Sequence, residues 1–194
     1  MLEGVEQAIM RVQDGESEQY ALIVETFQKP IYRYCCRLLN SRTEAEDAVQ
    51  EVLVKAYQNI GQYRPLTSFS SWLYKIAYHH CLALLRKRTR QNKILMLFQP
   101  GPPAESPEQA MERRIFSEPL AIALAGLSPE ERSLLVLRVF EEQSFAEIGE
   151  ILDKNMEAVK KKYRRTLLKL GKMLEAQKGG NTWNRNDSLL KKKM

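Results

Sequence analysis

Apolar residues recur every three or four positions along most of the chain, which is the period of amphipathic helices rather than of strands. Pro30 interrupts the first such stripe, so two helices are expected to meet there. Ser41 and Glu44 have the spacing of a capping box, and Gly61 suits a C-cap, so these residues bound the next helix. A further helix opens at Phe69, and the four predicted helices form a first domain.

The same period continues in the second half, where serine residues mark the helix starts. Ser128 with Glu131 and Ser144 with Glu147 are spaced as capping boxes. Another helix start is predicted at Ser106-Pro107. Pro119 lies inside that helix and predicts a kink or break there.

Proline and glycine separate these two groups of helices at residues 99–106. The predicted fold class is all-α, with two small helical domains joined by a flexible linker and a helix-turn-helix at the end of the second. The predicted boundaries are 1–93 for the first domain, 94–106 for the linker, 107–178 for the second domain and 179–194 for a basic, disordered tail.

Two helices at residues 144–152 and 156–176, joined by a three-residue turn, have the dimensions of a helix-turn-helix. The second helix carries basic side chains opposite its apolar stripe, which suit phosphate and guanine contacts. A basic, solvated helix is the alternative. The basic residues are Lys160, Lys161, Arg164, Arg165 and Lys169.

Composition and charge narrow the class of protein. The 194 residues include 44% hydrophobic side chains, enough for a sizeable core, and three cysteines, an odd number that does not suit a disulfide framework. No stretch is apolar enough to cross a membrane, so we expect a soluble, cytoplasmic protein. The net charge of the chain is +6, and it is unevenly distributed: residues 62–98 hold seven basic and no acidic side chains. This clustering favours a polyanion-binding surface over solvated helix faces.

Asp47, Gln50 and Glu51 form an acidic strip at positions i, i+3 and i+4 of the predicted helix that Ser41 caps. DNA phosphates would repel such a strip. It indicates either a protein partner with a basic face or a solvated flank of the helix.

The basic stretch 62–93 is interleaved with aromatic residues that can stack on unpaired bases. These residues are Tyr63, Phe69, Trp72, Tyr74 and Tyr78. For Phe69 and Trp72 the core is the favoured position, because their spacing continues the buried stripe.

No constellation of residues predicts catalysis. His79, His80 and Cys81 are adjacent, so on a helix they point in different directions and have no metal-ligand spacing. The sequence therefore predicts no enzyme, metal, cofactor or small-molecule substrate.

Four segments in order resemble an extracytoplasmic-function (ECF) sigma factor of bacterial RNA polymerase, a member of the sigma-70 family. They are Glu46-Asp47-Ala48-Val49-Gln50-Glu51, Ser68 to Ala77, Leu127 to Arg132 and the helix-turn-helix. The resemblance implies that the first domain is sigma region two and the second is region four. It also implies three partners: the largest subunits of core polymerase, promoter DNA and an anti-sigma factor.

The resemblance assigns each surface a role, with no direct membrane insertion. The acidic strip would bind the polymerase. Residues implied to contact the minus-ten element and melted strand are Tyr63, Arg64, Ser68, Trp72, Lys75, His79, Arg86, Lys87 and Arg90. Residues implied to read the minus-thirty-five element are Asn155, Met156, Glu157, Lys160, Lys161, Arg164 and Arg165. The apolar run 94–98 would pack on the polymerase, on a regulator or back on the first domain.

The chain departs from the usual family pattern at a few positions. His79 and Ala83 stand where the family usually has Asn and Asp, and Asp153 stands where the helix-turn-helix usually has glycine. Asp tolerates the left-handed conformation better than most residues. Glu157-Ala158 replaces the usual Gly-Thr, which leaves Asn155 as the expected N-cap of the reader helix.

Three other functions are compatible with parts of the pattern. A stand-alone helix-turn-helix regulator that dimerises through residues 1–98 would bind a palindromic site without polymerase. A sigma-like interaction protein would lack promoter activity. A metalloenzyme built on His79, His80 and Cys81 would hold stoichiometric metal.

Overall fold

The structure is a computed structural model that describes residues 2–98 and 118–178. Its elements are α1 (Leu2–Gln13), a 3-10 turn (Ser17–Gln19), α2 (Tyr20–Leu39), α3 (Arg42–Asn59), a 3-10 turn (Ile60–Gln62), α4 (Phe69–Phe98), α5 (Glu118–Ala125), α6 (Pro129–Val139), α7 (Phe145–Leu152) and α8 (Met156–Lys178). These two stretches contain no strand, which agrees with the predicted all-α class.

Helix α2 runs without interruption through Pro30, so the prediction of two helices meeting there is wrong. An internal proline removes a backbone hydrogen bond and costs about 3 kcal/mol. Phe27 and Ile31, on either side of Pro30, are both buried in the core. Since burying each such side chain contributes about 1.5–3 kcal/mol, the continuous apolar face outweighs the cost of the proline.

Helix α1 was not predicted from the sequence, although its pattern is regular. Val5, Ala8, Ile9 and Val12 are buried at the spacing i, i+3, i+4 and i+7. They pack α1 against α2. The first domain thus contains four α-helices, as many as predicted, but α1 was not among the predicted helices, and two predicted helices form the single helix α2.

The helix caps follow the sequence closely. Ser128 and Ser144 each form both hydrogen bonds of a capping box, and Ser41 accepts a hydrogen bond from the Glu44 backbone N–H at 3.2 Å. Gly61 is not the C-cap of α3, because Ile60 takes that position and Gly61 lies in the 3-10 turn that follows.

The first residues of the predicted linker, 94–106, belong to a helix. Helix α4 extends to Phe98, so residues 94–98 are helical. The rest of the linker, the helix start at Pro107 and the tail lie outside the described residues. Pro119 lies in α5, and the residues before Glu118 lie outside the described part of the chain, so the predicted kink or break at Pro119 stays a prediction.

The two domains pack directly against each other, which the sequence did not predict. Helix α4 packs on α7, and α2 packs on α6. One apolar core runs through both domains and includes Tyr34 and Leu73 from the first and Leu137 and Ile148 from the second. A smaller apolar cluster joins α5, α6 and α8. The helix-turn-helix therefore lies beside the basic helix α4.

Candidate nucleic-acid interface

The acidic strip lies in solvent on α3. Asp47, Gln50 and Glu51 are exposed, while Ala48 on the other face is buried. Val54, 51% exposed, lies three residues beyond Glu51 and extends the strip. The sequence analysis did not predict a role for Val54, although a valine on the polar face of a helix indicates an interaction surface. The strip presents carboxylates beside an apolar side chain.

The basic side chains of α4 form the second surface. Arg86, Lys87 and Arg90 are exposed along the C-terminal half of the helix. Lys75 is half-buried and His79 is exposed nearer its start. These side chains form a cationic surface along one long helix, which suits a nucleic-acid backbone.

The loop before α4 is held at both ends by hydrogen bonds. The Gln13 side chain donates to the Tyr63 carbonyl at 3.1 Å, and the Tyr63 hydroxyl donates to the Thr67 carbonyl at 2.9 Å. The Ser68 hydroxyl accepts from the first turn of α4. Leu66, between these fixed points, is 92% exposed. The loop thus exposes the apolar side chain of Leu66 between two hydrogen-bonded segments.

The aromatic residues of this region are mostly part of the core. Tyr63, Tyr74 and Tyr78 are buried, so their rings are not available for stacking on bases in this conformation, contrary to the expectation from their spacing. The Tyr63 ring packs edge-on against Phe69, with centroids 5.2 Å apart. Phe69 is buried as predicted, and Trp72 is partly buried against it.

The helix-turn-helix has the predicted turn chemistry. Asp153 caps α7 in the left-handed conformation with φ 55°, and the Asn155 side chain accepts a hydrogen bond from the Ala158 N–H at 2.8 Å. Gly149 is a determinant that the sequence reading missed. A Cβ at Gly149 would lie 2.6 Å from the Lys154 carbonyl oxygen, so only glycine fits where α7 approaches the turn.

The outer face of α8 holds the predicted reader residues. The Lys160 ammonium lies 2.8 Å from the Glu157 carboxylate, and this hydrogen bond lowers the pKa of Glu157. Lys169, which the sequence grouped with this face, instead pairs with Glu131 of α6 at 2.8 Å. The exposed members of the reader set are Asn155, Met156, Glu157, Lys161, Arg164 and Arg165.

The structure brings the two predicted DNA surfaces together at Asp153. Its carboxylate lies 2.5 Å from the Lys75 ammonium and 3.4 Å from His79 Nε2, both on α4. The hydrogen bond from Lys75, aided by His79, lowers the pKa of Asp153. The turn of the helix-turn-helix is therefore ion-paired to the basic helix.

A buried carboxylate anchors the same interface. The Glu141 side chain, only 3% exposed, lies 2.8 Å from the Arg37 guanidinium and accepts a hydrogen bond from the Tyr74 hydroxyl at 2.7 Å. Burial and the nearby Glu141 raise the pKa of Tyr74. Arg37 also stacks over the Phe140 ring at 4.4 Å. No local sequence pattern pointed to Glu141.

The adjacent residues His79, His80 and Cys81 contact three different groups. His79 faces Asp153, His80 Nδ1 lies 2.8 Å from the Lys55 ammonium, and the Cys81 Sγ lies 3.6 Å from Cys35 Sγ. Burial, and then the charge of Lys55, lower the pKa of His80. Within residues 2–98 and 118–178, no three His, Cys, Asp or Glu side chains are grouped as metal ligands would be.

None of the helices in this same part of the chain is both long and apolar enough to span a membrane.

Both halves of the chain match family models. Residues 23–91 match sigma-70 region 2, and residues 123–172 match sigma-70 region 4. The chain is 30% identical over 180 residues to the ECF RNA polymerase sigma factor SigW of Bacillus subtilis, covering 88% of this chain and 96% of that protein. It is 31% identical over 157 residues to the RNA polymerase sigma-H factor of Pseudomonas aeruginosa, covering 76% of this chain and 81% of that protein.

Solved structures share the fold. CnrH, in complex with the cytosolic domain of CnrY, matches with a TM-score of 0.67 at 19% identity, covering 89% of this chain and 98% of CnrH. RpoE of Bartonella quintana, in complex with the anti-sigma factor NepR, matches with a TM-score of 0.63 at 18% identity, covering 81% of this chain and 98% of RpoE.

Proposed function

The chain belongs to the ECF sigma factors of the sigma-70 family, and from this premise we propose that it binds core RNA polymerase, recognises a bipartite promoter and promotes its opening. The observation that carries the proposal is the order of the surfaces. An exposed acidic strip on α3, a basic helix α4 and a helix-turn-helix occur on the two matched regions.

The acidic strip supports docking on a basic face of the polymerase. Asp47 and Glu51 are exposed carboxylates one helical turn apart, and Gln50 between them can donate and accept hydrogen bonds. Complementary charge would steer the encounter, while Val54 would add apolar contact. We therefore assign polymerase binding to this face of α3.

Two surfaces, one on each domain, support reading of a bipartite site. The exposed N-terminal half of α8 would enter the major groove, with Arg164 and Arg165 as phosphate anchors or donors to guanine. The loop at Leu66 and the basic face of α4 would hold the minus-ten element. The two surfaces would read one duplex on the polymerase.

Promoter opening would use binding energy and no covalent chemistry. Flipping a base costs a few kcal/mol, and contacts with the displaced strand offset that cost. Arg86, Lys87 and Arg90 supply cations for the melted strand. Because Tyr63 and Tyr74 are buried, the exposed Leu66 and the partly buried Trp72 are the candidates for base contact.

Run-off transcription with bacterial core polymerase and a library of random promoters tests promoter recognition. Wild type should yield transcripts that share a bipartite motif. Arg164→Ala should weaken selection of the upstream element, whereas Lys172→Ala, an exposed cation two turns further along α8, should not. Equal motifs for both variants would contradict the role of α8.

A pre-melted template separates opening from docking. The variant Lys87→Ala/Arg90→Ala should transcribe less than wild type from duplex promoters. Its transcription should recover on a template with an unpaired minus-ten region. The control Arg11→Ala/Lys29→Ala removes two exposed cations from α1 and α2 and should act like wild type. If the bubble template gives no recovery, the loss lies in docking or upstream recognition.

An anti-sigma factor is the proposed regulatory partner. Two solved structures with this fold hold a second protein, CnrY in one and the anti-sigma factor NepR in the other. Purification of the tagged chain from its native cell should recover one such protein in stoichiometric amount, and that protein should block transcription when added back. Recovery of polymerase alone would contradict this partner.

A further inference from the structure

A lysine and a histidine of α4 converge on one carboxylate of the other domain. Lys75 and His79 are one helical turn apart, and Asp153 lies 2.5 Å from the first and 3.4 Å from the second. An ammonium and an imidazole spaced in this way also fit two oxygens of a phosphate group. A carboxylate and a phosphate therefore suit the same pair of side chains.

The backbone around Asp153 does not require a carboxylate. Its φ of 55° is the left-handed conformation, and its backbone N–H closes the last turn of α7 on the Gly149 carbonyl. Glycine and asparagine adopt this conformation at least as readily as aspartate. The acidic side chain is therefore an addition to the turn that serves the contact with α4.

The rest of the interface holds Asp153 in place. The buried Glu141 joins Arg37 and Tyr74, and the hydroxyls of Tyr34 and Ser133, both buried, lie 2.7 Å apart. These contacts fix α6 and the loop after it on the first domain, and α7 packs on α4. Asp153 is consequently held next to α4. A tethered carboxylate competes better for Lys75 and His79 than the same anion free in solution.

We infer that Lys75 and His79 form a phosphate-binding site of the promoter-binding helix, and that Asp153 fills this site so that the chain masks part of its own DNA surface. The ligand is a backbone phosphate of single-stranded or melted DNA. A strand can enter the site only when Asp153 leaves it. The identity of the ligand rests on the proposed function, whereas the contact of Asp153 with Lys75 and His79 is independent of it.

A double-mutant cycle on the full chain tests the competition. The probe is a fluorescent 12-nucleotide single-stranded DNA of mixed sequence at low salt, measured by anisotropy. Asp153→Asn preserves the turn and should tighten binding about three- to fivefold, since an exposed ion pair contributes up to about that factor. Lys75→Ala should change affinity less than twofold in wild type but weaken it about three- to fivefold in Asp153→Asn.

Glu150→Gln is the matched control, because it removes one exposed carboxylate from α7, the helix that Asp153 caps. In that background Lys75→Ala should behave as it does in wild type. An equal effect of Lys75→Ala in all three backgrounds overturns the inference, and so does a gain from Glu150→Gln as large as that from Asp153→Asn.

The outcome is separable from that of the proposed function. If the cycle shows no coupling while wild type still initiates transcription with core polymerase, the masking is wrong and the sigma function stands. If the coupling is found but wild type gives no transcript, the site and its masking stand and the promoter role fails.

Discussion

Gly149 allows a sharp test of how the helix-turn-helix is built. A Cβ at this position would lie 2.6 Å from the Lys154 carbonyl oxygen, closer than real Cβ contacts come. The obstructing atom belongs to the backbone and cannot rotate away. Gly149→Ala therefore must push apart α7 and the turn that sets the start of α8.

The expected magnitude comes from two opposing effects. Alanine is favoured over glycine inside a helix by about 0.5–1 kcal/mol, and overpacking in a tight site costs about 1–3 kcal/mol. Because a backbone carbonyl must move, we expect the overlap to dominate and the free energy of unfolding to fall by about 1–3 kcal/mol. Gly171→Ala on α8 is the matched control, since its Cβ would meet nothing within 4 Å. That variant should gain about 0.5–1 kcal/mol.

Urea unfolding followed by circular dichroism measures both variants under the same conditions. The two substitutions add the same methyl group and should shift the midpoint in opposite directions. Gly149→Ala should also weaken binding to minus-thirty-five duplex DNA, while Gly171→Ala should not. If Gly149→Ala is as stable as Gly171→Ala, the close approach at Lys154 does not govern the turn.

Three further predictions concern the domain interface. Glu141→Gln should lower the free energy of unfolding by about 1–3 kcal/mol, because it leaves the Arg37 charge without its carboxylate; an unchanged urea midpoint would refute this. Tyr34→Phe and Ser133→Ala should each cost about 1–2 kcal/mol and the double variant less than their sum, whereas strict additivity would mean that the two hydroxyls do not interact. Since the pKa of Asp153 is lowered in the folded chain, its ion pair contributes stability above about pH 4 and loses it as pH falls through the folded pKa. The stability difference between wild type and Asp153→Asn should therefore shrink on acidification, and a constant difference down to pH 3 would contradict the pairing.

Features that depend on residues close in sequence were predictable. The capping boxes at Ser128 and Ser144 and the N-cap at Asn155 need only a donor and an acceptor three residues apart. The left-handed conformation of Asp153 agrees with its place at the glycine that the resembled family usually has in this turn. The helix-turn-helix is therefore encoded by residues close together in sequence.

Features decided by burial or by distant partners were not predictable. Pro30 breaks a helix in isolation but not within α2, where Phe27 and Ile31 are buried on both sides of it. The bond between Arg37 and Glu141 joins residues 104 positions apart, and neither has a local pattern that marks it. The packing of the second domain on the first depends on such pairs, so the sequence predicted only two domains joined by a flexible linker.

The central claim is that this chain initiates transcription through core polymerase, and the acidic strip provides its most direct test. The measurement is run-off transcription with core polymerase, comparing wild type with Asp47→Ala/Gln50→Ala/Glu51→Ala. The control Asp14→Ala/Glu18→Ala/Gln28→Ala removes the same three residue types from exposed positions of the first domain. We predict transcripts from a shared bipartite motif with wild type and control, and their loss in the first variant. Equal transcription by the two variants, or a silent polymerase with a palindromic duplex selected by the protein alone, would contradict the account.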